Sequence, residues 1–122
     1  KRLPSEDEWE VAARGPGGHL FPWGNEWRAE LTNTESSLTG DTSPVIRHGK
    51  PSMSPFGLYD LLGNVFEWTA TVHTPTRPAR KGTPTLYVLK GGCWTSKPGI
   101  TAAARLLEPD TWSNTIGFRC AV

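Results

Sequence analysis

The chain has 122 residues, with 13 lysines and arginines against 12 aspartates and glutamates, and a net charge of +1. This length suits one domain with one core, and the near balance of charge gives no argument for a nucleic-acid partner or an anionic membrane surface. No apolar run reaches the ~18 residues of a membrane span. The 13 glycines, 11 prolines and six tryptophans favour a compact, loop-rich fold whose aromatic rings pack between irregular segments.

The first predicted element is a short helix over residues 5–14. Ser5 and Glu8 have the spacing of a capping box, in which the serine hydroxyl and the glutamate carboxylate each accept a backbone N–H at the start of the helix. The acidic residues of the first turn suit the helix dipole. The sequence GPGG at residues 15–18 predicts the end of the helix.

The rest of the chain reads as loops and short strands. Residues 30–55 are polar and rich in turn formers, which predicts a long loop of the kind that is functional or held by other contacts. The segment 101–107 is either alternating or helical, and its periodicity does not decide between the two. Three strands are predicted, at residues 64–72, 86–89 and 116–122.

Six motifs in one order give the chain a family resemblance from Arg2 to Ala121. They are RLPSEDEWEVAARG, FPWGNEW, SPFGLYDLLGNVFEW, VLKGGCW, AAARLLEPD and IGFRCA. In this order they resemble the formylglycine-generating-enzyme, or sulfatase-modifying-factor, family. The resemblance implies an α+β, C-type-lectin-like fold, rich in loops, with a short helix and small twisted antiparallel sheets. Because family domains extend upstream of the first motif, residues 1–122 are expected to be the C-terminal part of one such domain.

The resemblance implies a structural calcium site in GLYDLLGNVFEW. The ligands would be the carboxylates of Asp60 and Glu67 and the backbone carbonyls of Gly63 and Val65. Calcium prefers six to eight oxygen ligands of this mixed kind. The four positions converge only if the chain curls, which a glycine at position 63 allows. The alternative is that Asp60 caps a turn and Glu67 faces solvent. A second family site would fall in the 30–43 loop, near Asn33 and Asp41.

The family's chemistry depends on residues that this chain lacks. Its enzymes oxidise a sulfatase cysteine to formylglycine with copper, oxygen and a redox pair of cysteines. The matching positions here are Ser96 and Thr101, and a neutral hydroxyl does not replace a thiolate as a Cu(I) ligand. A family tryptophan beside the same pocket is replaced by Phe66. A copper cofactor is therefore not expected.

The two cysteines have separate interpretations. Cys93 stands where the family usually has a serine, so it is either a residual reactive thiol or a small buried residue at the end of a strand. The family partner of Cys120 corresponds to Ala13, so Cys120 is expected to be free unless it meets Cys93. Arg105 and Arg119 resemble the family's buried structural arginines, with Glu108, Asp110 or loop carbonyls as candidate acceptors. The three histidines share no metal-ligand spacing.

Three functions remain open from the sequence. The first is a non-catalytic relative, a calcium-stabilised module for binding or assembly, with an unidentified partner and association with an upstream fragment or larger assembly. The second is a part of a metal-dependent oxidase, formylglycine-generating or of the ergothioneine-pathway type, whose ligands lie outside this chain. The third is a ligand-display domain, in which the loop from Trp94 to Trp112 would face a ligand. No targeting segment is readable; a periplasmic or extracellular location is favoured over the cytoplasm.

Overall fold

The computed structural model describes residues 1–122. It contains one α-helix and four short strands, joined by long loops that include three single-turn 3₁₀ helices. These elements are α1 (Glu6–Arg14), β1 (Phe66–Val72), β2 (Tyr87–Lys90), β3 (Arg105–Glu108) and β4 (Ile116–Gly117); the 3₁₀ helices are Ala29–Leu31, Glu35–Ser37 and Lys50–Ser52. The predicted α+β, loop-rich fold class is confirmed.

The four strands form one sheet in the order β3-β2-β1-β4. β2 pairs antiparallel with both β1 and β3, whereas β4 runs parallel to β1. The sheet is therefore mixed, not purely antiparallel as expected. The predicted strand over 116–122 is shorter, because only Ile116–Gly117 pairs with β1 and Ala121 forms an isolated bridge with Arg2. The ambiguous segment 101–107 turns first and then becomes β3.

The helix α1 begins and ends as its sequence predicts. Ser5 Oγ accepts the backbone N–H of Glu8, and the Glu8 carboxylate accepts that of Ser5. Arg2 donates to the same carboxylate, and the hydrogen bonds from Arg2 and from the Ser5 N–H lower the pKa of Glu8 to about 2. The inner face buries Trp9 and Ala13 against Leu61 and Ala102, and these four residues form a buried hydrophobic cluster of the core.

A buried lysine fixes α1 to the sheet. The Lys90 side chain on β2 is fully buried, and its Nζ donates to Glu10 Oε2 at 3.0 Å and to the Ala103 carbonyl at 3.1 Å. The ammonium also lies 5.8 Å from the centre of the Trp9 ring. Burial acts to raise the pKa of Glu10, but hydrogen bonds from Lys90 and Arg14 outweigh it and hold that pKa below its ordinary value.

Arg105 corrects one sequence-based expectation. It was expected to be buried against acidic residues near 108–110, but its side chain is 44% exposed and donates to Glu6 Oε2 at 3.0 Å. Arg105 lies on β3, the edge strand of the sheet, so its side chain reaches α1 across the surface. No helix is long and apolar enough to cross a membrane.

Candidate functional site

The corner between Leu58 and β1 curls tightly. Asp60, Gly63 and Asn64 all have left-handed backbone conformations, with φ of 55°, 75° and 65°. A side chain at Gly63 would collide with the backbone of Asn33 and with Thr32, so this position requires glycine for space as well as conformation. The curl that the calcium prediction requires is therefore present.

Glu67 is the best-connected carboxylate of this corner. Its side chain is buried, and Oε2 accepts the Trp9 indole N–H at 2.6 Å and the Arg119 Nε–H at 2.5 Å, while Oε1 accepts from Arg119 Nη2 at 2.6 Å. The same Nη2 donates to the carbonyls of Tyr59 and Asp60. Arg119 is thus a framework arginine as expected, but its main acceptor is Glu67. The alternative that Glu67 faces solvent is wrong.

Three of the four predicted calcium ligands line one cleft of about 340 Å³, which contains Asp60, Val65 and Glu67 together with Arg119. Asp60 Oδ2 accepts the backbone N–H of Ile46 at 2.6 Å, and Oδ1 accepts no hydrogen bond. A carboxylate offers about four lone-pair sites, so Glu67, which accepts three hydrogen bonds, keeps one on Oε1.

The backbone supplies two more oxygens. The carbonyls of Gly63 and Val65 accept no hydrogen bond from the protein, whereas the backbone N–H groups of the next residues, Asn64 and Phe66, are hydrogen-bonded. Two carboxylates and two unused carbonyls on one curled segment fit the hard-oxygen preference of calcium. The Arg119 guanidinium is the unfavourable neighbour, because it already neutralises part of the negative charge. The calcium site remains a prediction.

The second expected calcium site shows a different arrangement around Asn33. Asn33 Nδ2 donates to the backbone carbonyl of Asp41 at 2.9 Å and to Asn64 Oδ1 at 3.2 Å, whereas the Asp41 carboxylate accepts the Thr42 N–H. The buried Asn33 Oδ1 has no partner. The two residues are therefore close, but they meet through the backbone of Asp41.

The positions that carry the family's cysteines hold a tight turn after β2. Ser96 Oγ accepts the Cys93 backbone N–H at 2.9 Å and lies 3.7 Å from Cys93 Sγ. The backbone carbonyl of Ser96 accepts the N–H of Glu35, and the Thr101 carbonyl accepts that of Ala104. Both residues thus support local loop structure.

Both cysteines are free thiols. Cys93 is buried, with only 3% of its surface exposed, and its Sγ lies 3.1 Å from Thr95 Oγ1. Cys120 is exposed. Cys120 does not pair with Cys93, and the location of Cys93 agrees with the interpretation of a small buried residue at the end of a strand.

Sequence reasoning missed three features of this region. The hydrogen bond from the Trp9 indole N–H to Glu67 and the buried Lys90 ammonium are two of them. A polar cleft beside Arg47 and His48 had also been missed. Only the third had a local signal, namely adjacent basic residues inside a long polar loop.

The α+β fold with its curled corner and the six ordered motifs define a domain of the formylglycine-generating class. The family model for the sulfatase-modifying factor enzyme 1-like domain matches residues 1–122. The chain belongs to this family.

Three relatives illustrate the range of the family. The chain is 37% identical to the inactive C-alpha-formylglycine-generating enzyme 2 of Mus musculus over 137 residues, covering 99% of the chain and 42% of the relative. It is 35% identical to the formylglycine-generating enzyme of Bos taurus, covering 99% and 38%. The solved structure of Treponema denticola variable protein 1 superposes with a TM-score of 0.77 and 28% identity, covering 96% of this chain and 45% of that protein. The chain thus spans less than half the length of these relatives.

Proposed function

We propose that this chain is a non-catalytic formylglycine-generating-enzyme-like domain that serves as a calcium-stabilised module for binding or assembly. The observation that carries the proposal is the identity of positions 96 and 101, where serine and threonine replace the family's cysteines. The Ser96 hydroxyl is engaged with the Cys93 backbone. Neither hydroxyl supplies the soft, charged sulfur that Cu(I) prefers.

A Cu(I) titration tests the absence of the copper site. In competition with a chromogenic Cu(I) chelator, the chain is expected to withdraw no copper, because Ser96 and Thr101 replace both cysteines of the family's copper-binding pair. The double variant Ser96→Cys/Thr101→Cys restores both thiols, and its Cu(I) binding is compared with that of the native chain. Tight stoichiometric binding by the native chain would contradict the proposal.

Calcium is proposed as a structural ion. The residues that would hold it are Asp60, Gly63, Val65 and Glu67, which together offer carboxylate and carbonyl oxygens. Bound calcium would join the oxygens of these residues and hold the curl between Leu58 and β1. A periplasmic or extracellular location suits such a site, because extracellular calcium modules work at dissociation constants of about 10⁻⁴–10⁻³ M.

Removal of calcium is expected to lower the melting temperature. Chelation should reduce Tm by about 4 °C or more, the shift that ~1 kcal/mol produces in a small domain. Asp60→Ala is expected to abolish this response in a thermal melt with and without calcium. Asp110→Ala removes an exposed carboxylate away from the corner and should leave the response unchanged. If neither calcium nor chelator changes the melting temperature, the structural ion is excluded.

Exposed aromatic groups support a binding role. The Trp112 side chain is 91% exposed and Phe118 is 67% exposed, both in the C-terminal segment that follows β3. Large exposed aromatic side chains are enriched at binding surfaces. The partner is not identified by this chemistry.

The second candidate function is a part of a metal-dependent oxidase. It is favoured by the 35% identity to the formylglycine-generating enzyme of Bos taurus. In that case ligands outside this chain would hold the metal. A longer form of the protein would be tested for oxygen uptake with a thiol substrate. If this activity persists after Cys93→Ser, the result favours metal ligands outside residues 1–122.

A further inference from the structure

A polar cleft of about 260 Å³ lies in the long loop, away from the corner at Asp60. Its lining includes Glu30, Ser36, Thr39, Arg47 and His48, and only one lining residue is hydrophobic. The cleft is smaller than the pockets of about 300–1,000 Å³ that hold drug-sized ligands, but larger than the ~30 Å³ of a water molecule. Its size therefore suits a small polar ligand.

His48 provides an unusual nitrogen at this cleft. Its Nδ1 lies 2.9 Å from the backbone carbonyl oxygen of Glu30. A carbonyl only accepts, so Nδ1 carries the hydrogen. The other nitrogen, Nε2, is buried and has no partner. A buried polar atom without a partner requires an explanation, such as a bound ion or water. When the ring is protonated, Nε2 becomes a second donor.

Arg47 and Thr39 add unused donors. The Arg47 guanidinium makes no hydrogen bond or ion pair with any residue of the chain, and the Thr39 hydroxyl makes no hydrogen bond. By contrast, the acidic lining residue Glu30 is paired, because Arg28 Nε lies 2.8 Å from its Oε1. The charge of Glu30 is thus offset by Arg28, and the cleft keeps the positive charge of Arg47.

We propose that this cleft binds a tetrahedral oxyanion of the sulfate or phosphate class. The Arg47 guanidinium would form charge-assisted hydrogen bonds to the anion, and the Thr39 hydroxyl and the His48 imidazolium would donate to its remaining oxygens. The same chemistry suits a free ion and the terminal group of a small ester. This proposal is independent of the calcium site and of the missing cysteines.

An NMR titration with sodium sulfate tests the assignment. Sodium chloride at equal ionic strength is the reference, and the amide signals of Ser36, Thr39 and His48 report on the cleft. Sulfate is expected to move these signals saturably. Arg47→Gln should weaken binding about tenfold or more, the loss expected for a hydrogen bond to a charged group. Arg80→Gln, the same substitution at an exposed arginine of another loop, should leave the affinity unchanged.

A second ligand separates the two sources of the anion. Methyl sulfate distinguishes the free ion from an ester. If methyl sulfate binds as tightly as inorganic sulfate, the cleft is assigned to esters; if only inorganic sulfate binds, it is assigned to the free ion.

The proposal is overturned by either of two results. These are no saturable shift with sulfate, or equal affinity of the native chain and Arg47→Gln. Arg47 is exposed, so its substitution is not expected to prevent folding. Thr39→Val provides a second variant that removes one donor at nearly constant volume, and it should also weaken sulfate binding.

Discussion

Replacing Glu67 with alanine is expected to lower the free energy of unfolding by about 3–5 kcal/mol, the cost of breaking a buried ion pair by removing one partner. The Arg119 side chain is only 24% exposed, so its guanidinium would remain largely buried with carbonyl acceptors alone. The Trp9 indole N–H would lose its acceptor as well. Chemical denaturation of the native chain and the variant, both without calcium, measures this difference.

The matched control is Glu108→Ala. Glu108 is a half-buried glutamate on the edge strand β3, and its carboxylate makes no hydrogen bond or ion pair, so its loss should change stability by only about 0.5 kcal/mol. A double-mutant cycle between Glu67→Ala and Arg119→Ala should show strong coupling, because the two side chains share two hydrogen bonds. Additive single effects would mean that the pair does not hold the corner to the C-terminal segment.

Trp9→Ala is expected to have an effect of similar size, about 3–5 kcal/mol, because it leaves a cavity in the core. Trp9 is 1% exposed and packs with Ala13, Leu61 and Ala102. Thermal or chemical unfolding, followed by circular dichroism, measures the loss.

Two other substitutions separate packing from hydrogen bonding at Trp9. Trp9→Phe keeps an aromatic ring but removes the N–H that Glu67 accepts, so it should cost about 1–3 kcal/mol. Trp112→Ala removes a tryptophan that is 91% exposed and should leave stability within about 0.5 kcal/mol. If Trp112→Ala destabilised the domain as much as Trp9→Ala, the assignment of the core would be wrong.

Local patterns predicted the local structure well. The Ser5–Glu8 capping box is a contact over three residues, so the sequence alone placed the start of α1. The segment that becomes β3 could not be assigned, because its pairing partner is β2, well before it in the chain. The parallel pairing of β4 with β1 likewise depends on long-range contacts that no local pattern records.

The candidate site was predictable only in part for the same reason. The glycine at position 63 indicated a curl, and the backbone of Asp60, Gly63 and Asn64 provides it. The ligand set itself came from the family resemblance. The hydrogen bonds to the Glu67 carboxylate come from Arg119 and Trp9, which are 52 and 58 positions away in the sequence, so no local window around Glu67 contains either donor.

The measurement that tests the central claim most directly is oxygen uptake with a cysteine-containing sulfatase peptide, in the presence of Cu(I) and a thiol reductant. A formylglycine-generating enzyme such as the Bos taurus relative is the positive control. If Ser96 and Thr101 mark a non-catalytic domain, oxygen uptake by this chain stays at the level of the peptide and copper alone, and mass spectrometry finds the peptide cysteine unchanged. Uptake above that level, coupled to conversion of the cysteine to formylglycine, would contradict the account.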